Sequence, residues 1–140
     1  MKHEFFFKIS PRAKQSARFA KVGKFMRSYT SKKTRDYEKN LSLQALSQFK
    51  EKPLAGALKV NVSFRFAPLS NFPKYKLNML EKGEIIYKTT KPDLTDNLCK
   101  ALFDALEGIV FLNDSQICDV KSEKIFSMEP GIKLMIEEIL

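Results

Sequence analysis

Residues 57–66 read ALKVNVSFRF, and this stretch gives the clearest strand pattern in the chain. Apolar side chains alternate with polar ones, the apolar positions being Leu58, Val60, Val62, Phe64 and Phe66. Because successive side chains of a strand point to opposite faces of a sheet, the pattern predicts a strand with one buried face. The fold must therefore supply a hydrophobic layer over one side of this strand.

Three further segments are expected to join the sheet. Residues 4–10, EFFFKIS, predict a short strand that ends before Pro11, and residues 131–139, GIKLMIEEI, predict a final strand. Between them, residues 116–127, QICDVKSEKIFS, alternate imperfectly. Gly131, which follows a proline, is expected to make the turn between the last two strands.

Two main helices are predicted. Residues 34–50 carry apolar side chains at every fourth position, with Thr34 as the N-cap residue. Residues 96–107 place an apolar stripe opposite a polar face, and Gly108 fits the position just after a helix. Residues 67–90 have no firm period and predict a loop or insertion that contains one helical turn.

The expected fold is α+β: a single domain over residues 1–140, in which a mixed or antiparallel β-sheet packs against two main helices. Hydrophobic residues make up 44% of the 140 residues, which is enough for one core. No apolar run approaches the roughly 20 residues that span a bilayer, so we expect a cytoplasmic protein. Cys99 and Cys118 are expected to be reduced, buried thiols rather than a disulfide or zinc site, and His3 is expected to have no catalytic role.

Positive charge is concentrated at the N-terminal end. Residues 1–40 hold 12 Lys and Arg against 3 Asp and Glu, whereas residues 41–140 hold 13 of each. This favours a polyanion as partner, because cations that neutralise phosphates release condensed counterions; a solubilising surface arm is the alternative. Residues 11–33 predict an extended surface loop with possible strand pairing. Its basic candidates for nucleic-acid contact are Arg12, Lys14, Arg18, Lys24, Arg27, Lys32 and Lys33. The interleaved Phe19, Phe25 and Tyr29 either stack on bases or fix the loop to the core.

Acidic residues are concentrated in residues 91–119, KPDLTDNLCKALFDALEGIVFLNDSQICD. A structural explanation makes Asp93 an N-cap residue, Asp96, Lys100 and Asp104 an ion-pair ladder, and Asp114 a turn residue. A functional explanation is a Mg²⁺ site, since this ion prefers oxygen ligands and needs few carboxylates. A basic segment that holds a phosphate backbone beside an acidic metal site would suit phosphodiester hydrolysis, so the combination favours a nuclease.

The same window resembles the signature of RusA-type Holliday junction resolvases, which is approximately K-P-D-x-D-N-L-x-K, then D-A-L, G and an acidic D/N-D-x-Q-[VI]. PRAKQSARF, YTSKKTRDYE and EPGIKLMIEEI are similar to other parts of that family, so the resemblance covers nearly the whole chain. It implies a Mg²⁺-dependent homodimeric endonuclease, with Mn²⁺ as an expected substitute, that makes paired symmetric cuts in four-way DNA junctions during recombination and repair. Small resolvases of this kind often travel with phage-derived DNA.

Carried over by position, the resemblance gives Asp93, Asp96 and Asp114 as metal-binding acids and Lys100 as a residue that stabilises negative charge on the phosphate. Asn97 and Asp104 take supporting roles. The family pattern has one residue between its first two acids, whereas here Leu94 and Thr95 intervene. In an extended backbone this spacing points the two acids apart, unless the chain bulges or enters a helical turn.

Three other functions stay open at this point. One is a nucleic-acid-binding module without catalysis, and another is a nuclease for a different branched or flap DNA. The third is a structural or regulatory protein with an acidic protein partner.

Overall fold

The computed structural model describes residues 2–13, 18–22, 25–29 and 31–139, and for residues 18–22 and 25–29 it describes the backbone alone. The strands are β1 (Lys2–Phe7), β2 (Arg18–Val22), β3 (Phe25–Tyr29), β4 (Ala57–Phe66), β5 (Ile117–Phe126) and β6 (Gly131–Ile139). The helices are α1 (Lys32–Gln48), α2 (Lys74–Glu81) and α3 (Lys100–Leu106), with a π-helical turn at Leu94–Cys99 and a 3-10 turn at Asp114–Gln116. None of the helices in these ranges combines the length and apolar character that crossing a bilayer requires.

The main sheet is mixed and has four strands in the order β1-β6-β4-β5. β4 is parallel to β5 and antiparallel to β6, which in turn is antiparallel to β1. β4 and β6 have the predicted bounds, because both are inner strands with a clear alternation of apolar residues. The predicted α+β class is confirmed.

One face of the sheet is buried under the helices. Leu58, Val60, Val62 and Phe64 of β4 are buried and continue into buried residues of β6, as in the pair of Val62 with Leu134. α1 and α3 lie together on this face, where the Ser42 hydroxyl donates a hydrogen bond of 2.8 Å to the carbonyl of Ala105. The other face of β4 carries its polar side chains.

β1 is an edge strand whose outer backbone is bonded by two glutamines of α1. The Gln48 amide accepts from Phe6 N at 3.1 Å and donates to Phe6 O at 2.9 Å. Gln44 does the same at Lys8, with distances of 2.8 and 3.1 Å. These side chains replace a neighbouring strand and so protect this edge from pairing with another chain.

The expected surface loop over residues 11–33 contains a hairpin. β2 pairs with β3 in antiparallel register from Arg18 opposite Tyr29 to Val22 opposite Phe25. The possible strand pairing in this segment is thus confirmed. The side chains of residues 14–30, including the three aromatic ones, lie outside the described part of the chain, so their roles stay predictions.

The N-cap residue of α1 lies three residues before the predicted one. Ser31 is the N-cap residue, and its hydroxyl accepts from Thr34 N at 3.2 Å. Thr34 instead lies inside the first turn, is buried, and its hydroxyl accepts from Ser31 Oγ at 2.9 Å. The prediction of Thr34 as N-cap was wrong because Lys32 and Lys33 gave no sign that the helix had already begun. The buried positions Tyr37, Leu41 and Ala45 follow the predicted period.

The second predicted helix and the insertion before it differ in detail from the prediction. The helix starts as the π-helical turn at Leu94, continues as α3 and ends at Leu106, with Gly108 at φ 84° directly after the C-cap residue as expected. In the insertion, α2 is an eight-residue helix rather than a single turn. After it, Tyr87 forms an antiparallel bridge with Ile125, so the insertion covers the end of β5.

The last two strands are sequential but not neighbours, because β4 lies between them. Gly131 does not form the turn itself; it is the first residue of β6, with φ 155°. A Cβ atom at this position would lie 2.6 Å from the carbonyl oxygen of Phe7. Glycine is therefore required here by the close approach of β1.

Candidate functional site

The loop that leads to Asp93 is bonded to β5 by a lysine. Lys124 Nζ donates to the carbonyl oxygens of Thr90 and Pro92, both at 2.8 Å. Leu98 N then donates to the carbonyl of Asp93 at 3.1 Å, which starts the π-helical turn. Lys124 therefore holds the backbone on the N-terminal side of Asp93, a role that no local pattern around Lys124 indicates.

Asp93 and Asp96 are the N-cap residue and the third residue of this turn. The capping explanation is correct for the position of Asp93, but its carboxylate makes no capping hydrogen bond. Both side chains are exposed, and neither forms an ion pair or side-chain hydrogen bond with a described residue. The chain thus accommodates the two intervening residues by entering a helical turn, which is one of the two ways that the spacing allowed.

The helical run after Asp96 has the predicted two faces. Leu98, Ala101, Leu102, Ala105 and Leu106 are buried, while Lys100 is exposed and Asn97 and Asp104 are half-buried. Within the described part of the chain Lys100 and Asp96 form no ion pair, so this step of the proposed ladder is not observed. The Lys100 ammonium is free to approach a bound anion.

Asp114 opens the 3-10 turn that precedes β5. Its neighbour Asn113 caps that turn: Asn113 Oδ1 accepts from Ser115 N at 2.8 Å, and Asn113 N donates to Gln116 Oε1 at 2.7 Å. The Asp114 backbone N–H donates to Glu107 Oε1 at 3.0 Å, and Gln116 Nε2 donates to the carbonyls of Leu54 and Gly56 at 2.9 Å each. Asn113, Glu107 and Gln116 thus hold the turn, while the Asp114 side chain is exposed.

Asp114 is therefore held beside the C-terminal end of α3, whereas Asp93 and Asp96 lie at the start of the same helical run. Within residues 2–13 and 31–139, no group of three or more His, Cys, Asp or Glu side chains is arranged to hold a metal ion. Mg²⁺ keeps several waters and needs only one or two carboxylates, so the exposed and unpaired Asp93 and Asp96 fit it in ligand type. Metal binding by the three acids stays a prediction.

The described basic candidates lie at the start of α1. Lys32 and Lys33 are exposed in its first turn, and Arg12 is half-buried beside them. Arg12, Lys33, Asp36, Tyr37 and Asn40 line a shallow groove of about 310 Å³. Burial raises the pKa of the Tyr37 phenol to about 12, and the nearby Arg12 opposes the rise. Lys14 and Lys24 lie outside the described residues, and of Arg18 and Arg27 only the backbone is described.

The two cysteines are free thiols in different surroundings. Cys99 is buried under β5; burial raises its thiol pKa, and a hydrogen bond with Ser122 opposes the rise. Cys118 is exposed, so the prediction of two buried thiols was wrong for it. The reason is that Cys118 lies on β5, an edge strand.

Two comparisons with known proteins concern the family of the chain. A sequence model described as endodeoxyribonuclease RusA matches residues 8–137, which include the basic segment and the whole acidic window. The uncharacterized protein YqaN of Bacillus subtilis (strain 168) is 34% identical over 109 residues, which cover 76% of this chain and 75% of that protein. The chain belongs to the RusA endodeoxyribonuclease family.

Proposed function

We propose that this chain is a Mg²⁺-dependent endonuclease that resolves four-way DNA junctions by paired symmetric hydrolysis of phosphodiester bonds, in recombination and repair. The observation that carries the proposal is the exposure of the Asp93 and Asp96 carboxylates and their lack of a partner among the described residues. Both carboxylates lie in the family motif, are exposed and have no partner among the described residues. Two exposed carboxylates three residues apart, neither of which forms a hydrogen bond or ion pair with a described residue, favour a cation as ligand.

The chemistry would be divided among residues of the motif. Asp93 and Asp96 would hold the ion, and the family motif assigns Asp114 to the same site. Bound Mg²⁺ would activate water and neutralise charge on the phosphate oxygens. Lys100 would oppose the negative charge that develops on the phosphate or on the leaving oxygen. Asn97 and Asp104 would support the position of Lys100 on the helix.

The substrate is proposed from charge and symmetry. The basic N-terminal segment would contact phosphates, so that a junction is recognised by its shape rather than by base edges. A homodimer with two-fold symmetry would place two equal sites across a two-fold junction, which accounts for paired cuts. We expect the protein to act in the cytoplasm, where it would meet the DNA.

The test is cleavage of a labelled four-way junction, with and without Mg²⁺, by the parent chain and by Asp93→Asn and Asp96→Asn. Asn serves at an N-cap position about as well as Asp, and the Asp96 side chain is exposed without a partner among the described residues, so both variants should keep the parent stability. We expect cleavage to fall at least a hundredfold while junction binding persists. Glu84→Gln, at an exposed position after α2 and outside the motif, is the matched control and should cut normally.

Two outcomes would contradict the proposal. If both variants cut at the parent rate in Mg²⁺ or Mn²⁺, the carboxylates do not bind the ion. If the parent binds junctions but gives no products, the chain is a non-catalytic binding module. Parallel reactions with a flap and a plain duplex distinguish a junction resolvase from a nuclease for other branched DNA.

A further inference from the structure

Among the residues that the structure describes, none covers the outer edge of β5 over residues 119–122. On its inner side β5 pairs with β4 along its length. On its outer side the insertion covers only its last residues, since Lys88 N donates to Lys124 O and Phe126 N donates to Ile86 O, both at 3.0 Å. No described strand pairs with the rest of this edge.

The two edges of the sheet differ in whether side chains bond their outer backbone groups. At the end of β1, Gln48 of α1 bonds the outer backbone of Phe6, and Gln44 bonds that of Lys8 just beyond the strand. The free part of β5 has no such cover among the described residues, and it exposes Val120 to 45%. An uncovered edge strand with an exposed apolar side chain is a template for pairing with another chain.

The end of β5 that the insertion covers shows which backbone N–H and C=O groups point outward. The Lys124 carbonyl and the Phe126 N–H point outward, to the insertion. Because these groups alternate along a strand, Val120 and Ser122 direct theirs outward too, as far as the bulge between Ile117 and Asp119. Asp119 and Lys121 have their side chains on the open face of the sheet, both exposed and without an ion pair to a described residue.

The geometry points to an interface at which β5 pairs in antiparallel fashion with β5 of a second copy of this chain, about a two-fold axis through Val120. In this register Asp119 lies opposite Lys121 of the partner subunit, and the symmetry repeats the pair. Such directly opposed residues of a non-hydrogen-bonded pair have Cα atoms about 4.5 Å apart, so their opposite charges attract. This contact deepens the proposed function, because it would build the homodimer on which the paired cuts depend.

The charges of Asp119 and Lys121 favour one register of the strand pair and favour a second copy of the chain as the partner. An axis through Asp119 would oppose two aspartates, and an axis through Lys121 would oppose two lysines. Only the axis through Val120 pairs every charge of residues 119–121 with its opposite. A strand that complements its own copy in this way favours a second copy over an unrelated peptide.

Charge substitutions test the pairing, with the solution mass as the readout. We expect the parent to sediment at twice the chain mass of 16.1 kDa. Asp119→Lys and Lys121→Asp should each be monomers, because each opposes like charges. An equimolar mixture of the two should give heterodimers, and the double variant should regain the dimer. Glu4→Lys, an exposed acid on β1 at the opposite edge, should leave the mass unchanged.

A second measurement uses a disulfide. Val120→Cys in a Cys118→Ser background should form a disulfide-linked dimer on mild oxidation, since hydrogen-bonded pairs have Cα atoms about 5.5 Å apart. A monomeric parent at tens of micromolar, or a mixture of the charge variants that stays monomeric, would overturn the proposal. Neither measurement uses DNA or metal. A dimer that cuts no junction would therefore disprove the nuclease and leave this interface in place.

Discussion

Asp93 occupies a position at which aspartate commonly caps a helix, yet its carboxylate caps nothing. The turn is started instead by the bond from Leu98 N to the Asp93 carbonyl. The Ser31 hydroxyl, by contrast, does accept the expected bond at the start of α1. A side chain that could stabilise its own helix end and does not is available to a ligand, which makes Asp93 the residue on which the proposed site chiefly depends.

Lys100 is the residue whose substitution separates rate from affinity. Its ammonium is exposed and has no ion pair with a described residue, so its removal disturbs no packing. We expect Lys100→Ala to lower the cleavage rate by about 10²–10³-fold, as for loss of one charge-stabilising donor. Junction affinity should change by only a few-fold. Single-turnover cleavage measures the first and gel-shift titration the second.

Two variants serve as comparisons for Lys100→Ala. Lys100→Arg keeps the positive charge and should recover part of the rate. Lys50→Ala, at an exposed position beyond α1, removes a lysine elsewhere and should cut like the parent. A rate for Lys100→Ala within a few-fold of the parent would remove Lys100 from the site.

Tyr37 gives a prediction about stability at high pH. The folded pKa of about 12 exceeds the usual 10.0, so the folded state keeps this proton over a range in which the unfolded state loses it. This contribution to stability is complete below pH 10 and is lost as the pH rises from 10 to 12. Between pH 10 and 11 the parent should lose about 1 kcal/mol relative to Tyr37→Phe in denaturant unfolding.

The hydroxyl itself should matter little at neutral pH. The phenolic oxygen makes no hydrogen bond of normal geometry with a described residue, although the Arg12 backbone lies close enough to favour the phenolate weakly. Tyr37→Phe should therefore be as stable as the parent at pH 7. Tyr75→Phe, exposed on α2, is the control. Parallel stability curves for parent and Tyr37→Phe up to pH 11 would contradict the prediction.

At the scale of elements, the hydrogen bonds from α1 to the end of β1 should contribute measurably to the free energy of unfolding. The amides of Gln44 and Gln48 make four hydrogen bonds, two to the backbone of Phe6 in β1 and two to that of Lys8 just after it. At roughly 0.5–1.5 kcal/mol per bond, less for exposed ones, the double variant Gln44→Ala/Gln48→Ala should lose about 2–3 kcal/mol of unfolding free energy.

The edge that this variant leaves open should also pair with other chains. We expect aggregation at lower protein concentration, measured by light scattering. Leu43→Ala/Ser47→Ala, on the exposed face of the same helix, is the matched control and should change neither property much. Equal stability of the two double variants would show that the glutamine bonds contribute nothing.

Local patterns predicted those elements whose own residues carry the signal. β4 and β6 have alternating apolar residues and were predicted with the correct bounds, and Gly108 ends its helix as expected. The position of β5 at an edge was not predictable from its weak alternation, because the neighbours of a strand depend on contacts distant in sequence. The same holds for the bonds of Lys124 to Thr90 and Pro92 and of Glu107 to Asp114, which join segments that no short motif contains.

At the scale of the whole molecule, charge is distributed at a cost to local stability. Residues 1–40 hold the entire net charge of +9. Lys32 and Lys33 lie in the first turn of α1, which contains no acidic residue. Cations are unfavourable there, because the N-terminal end of a helix is itself positive. An arrangement that opposes helix stability but strengthens a positive surface favours a role in binding an anion.

The last prediction separates the effect of Lys32 and Lys33 on helix stability from their effect on DNA binding. Lys32→Gln/Lys33→Gln should weaken junction binding and lower the slope of log affinity against log salt by about 2, because each lysine that neutralises a phosphate adds about one to that slope. The weakening should be equal for junction and plain duplex, since phosphate contacts carry no sequence information. The melting temperature should stay the same or rise. Lys50→Gln/Lys52→Gln removes the same charge beyond α1 and should keep the slope. An unchanged slope for the first pair would show that the start of α1 does not contact DNA.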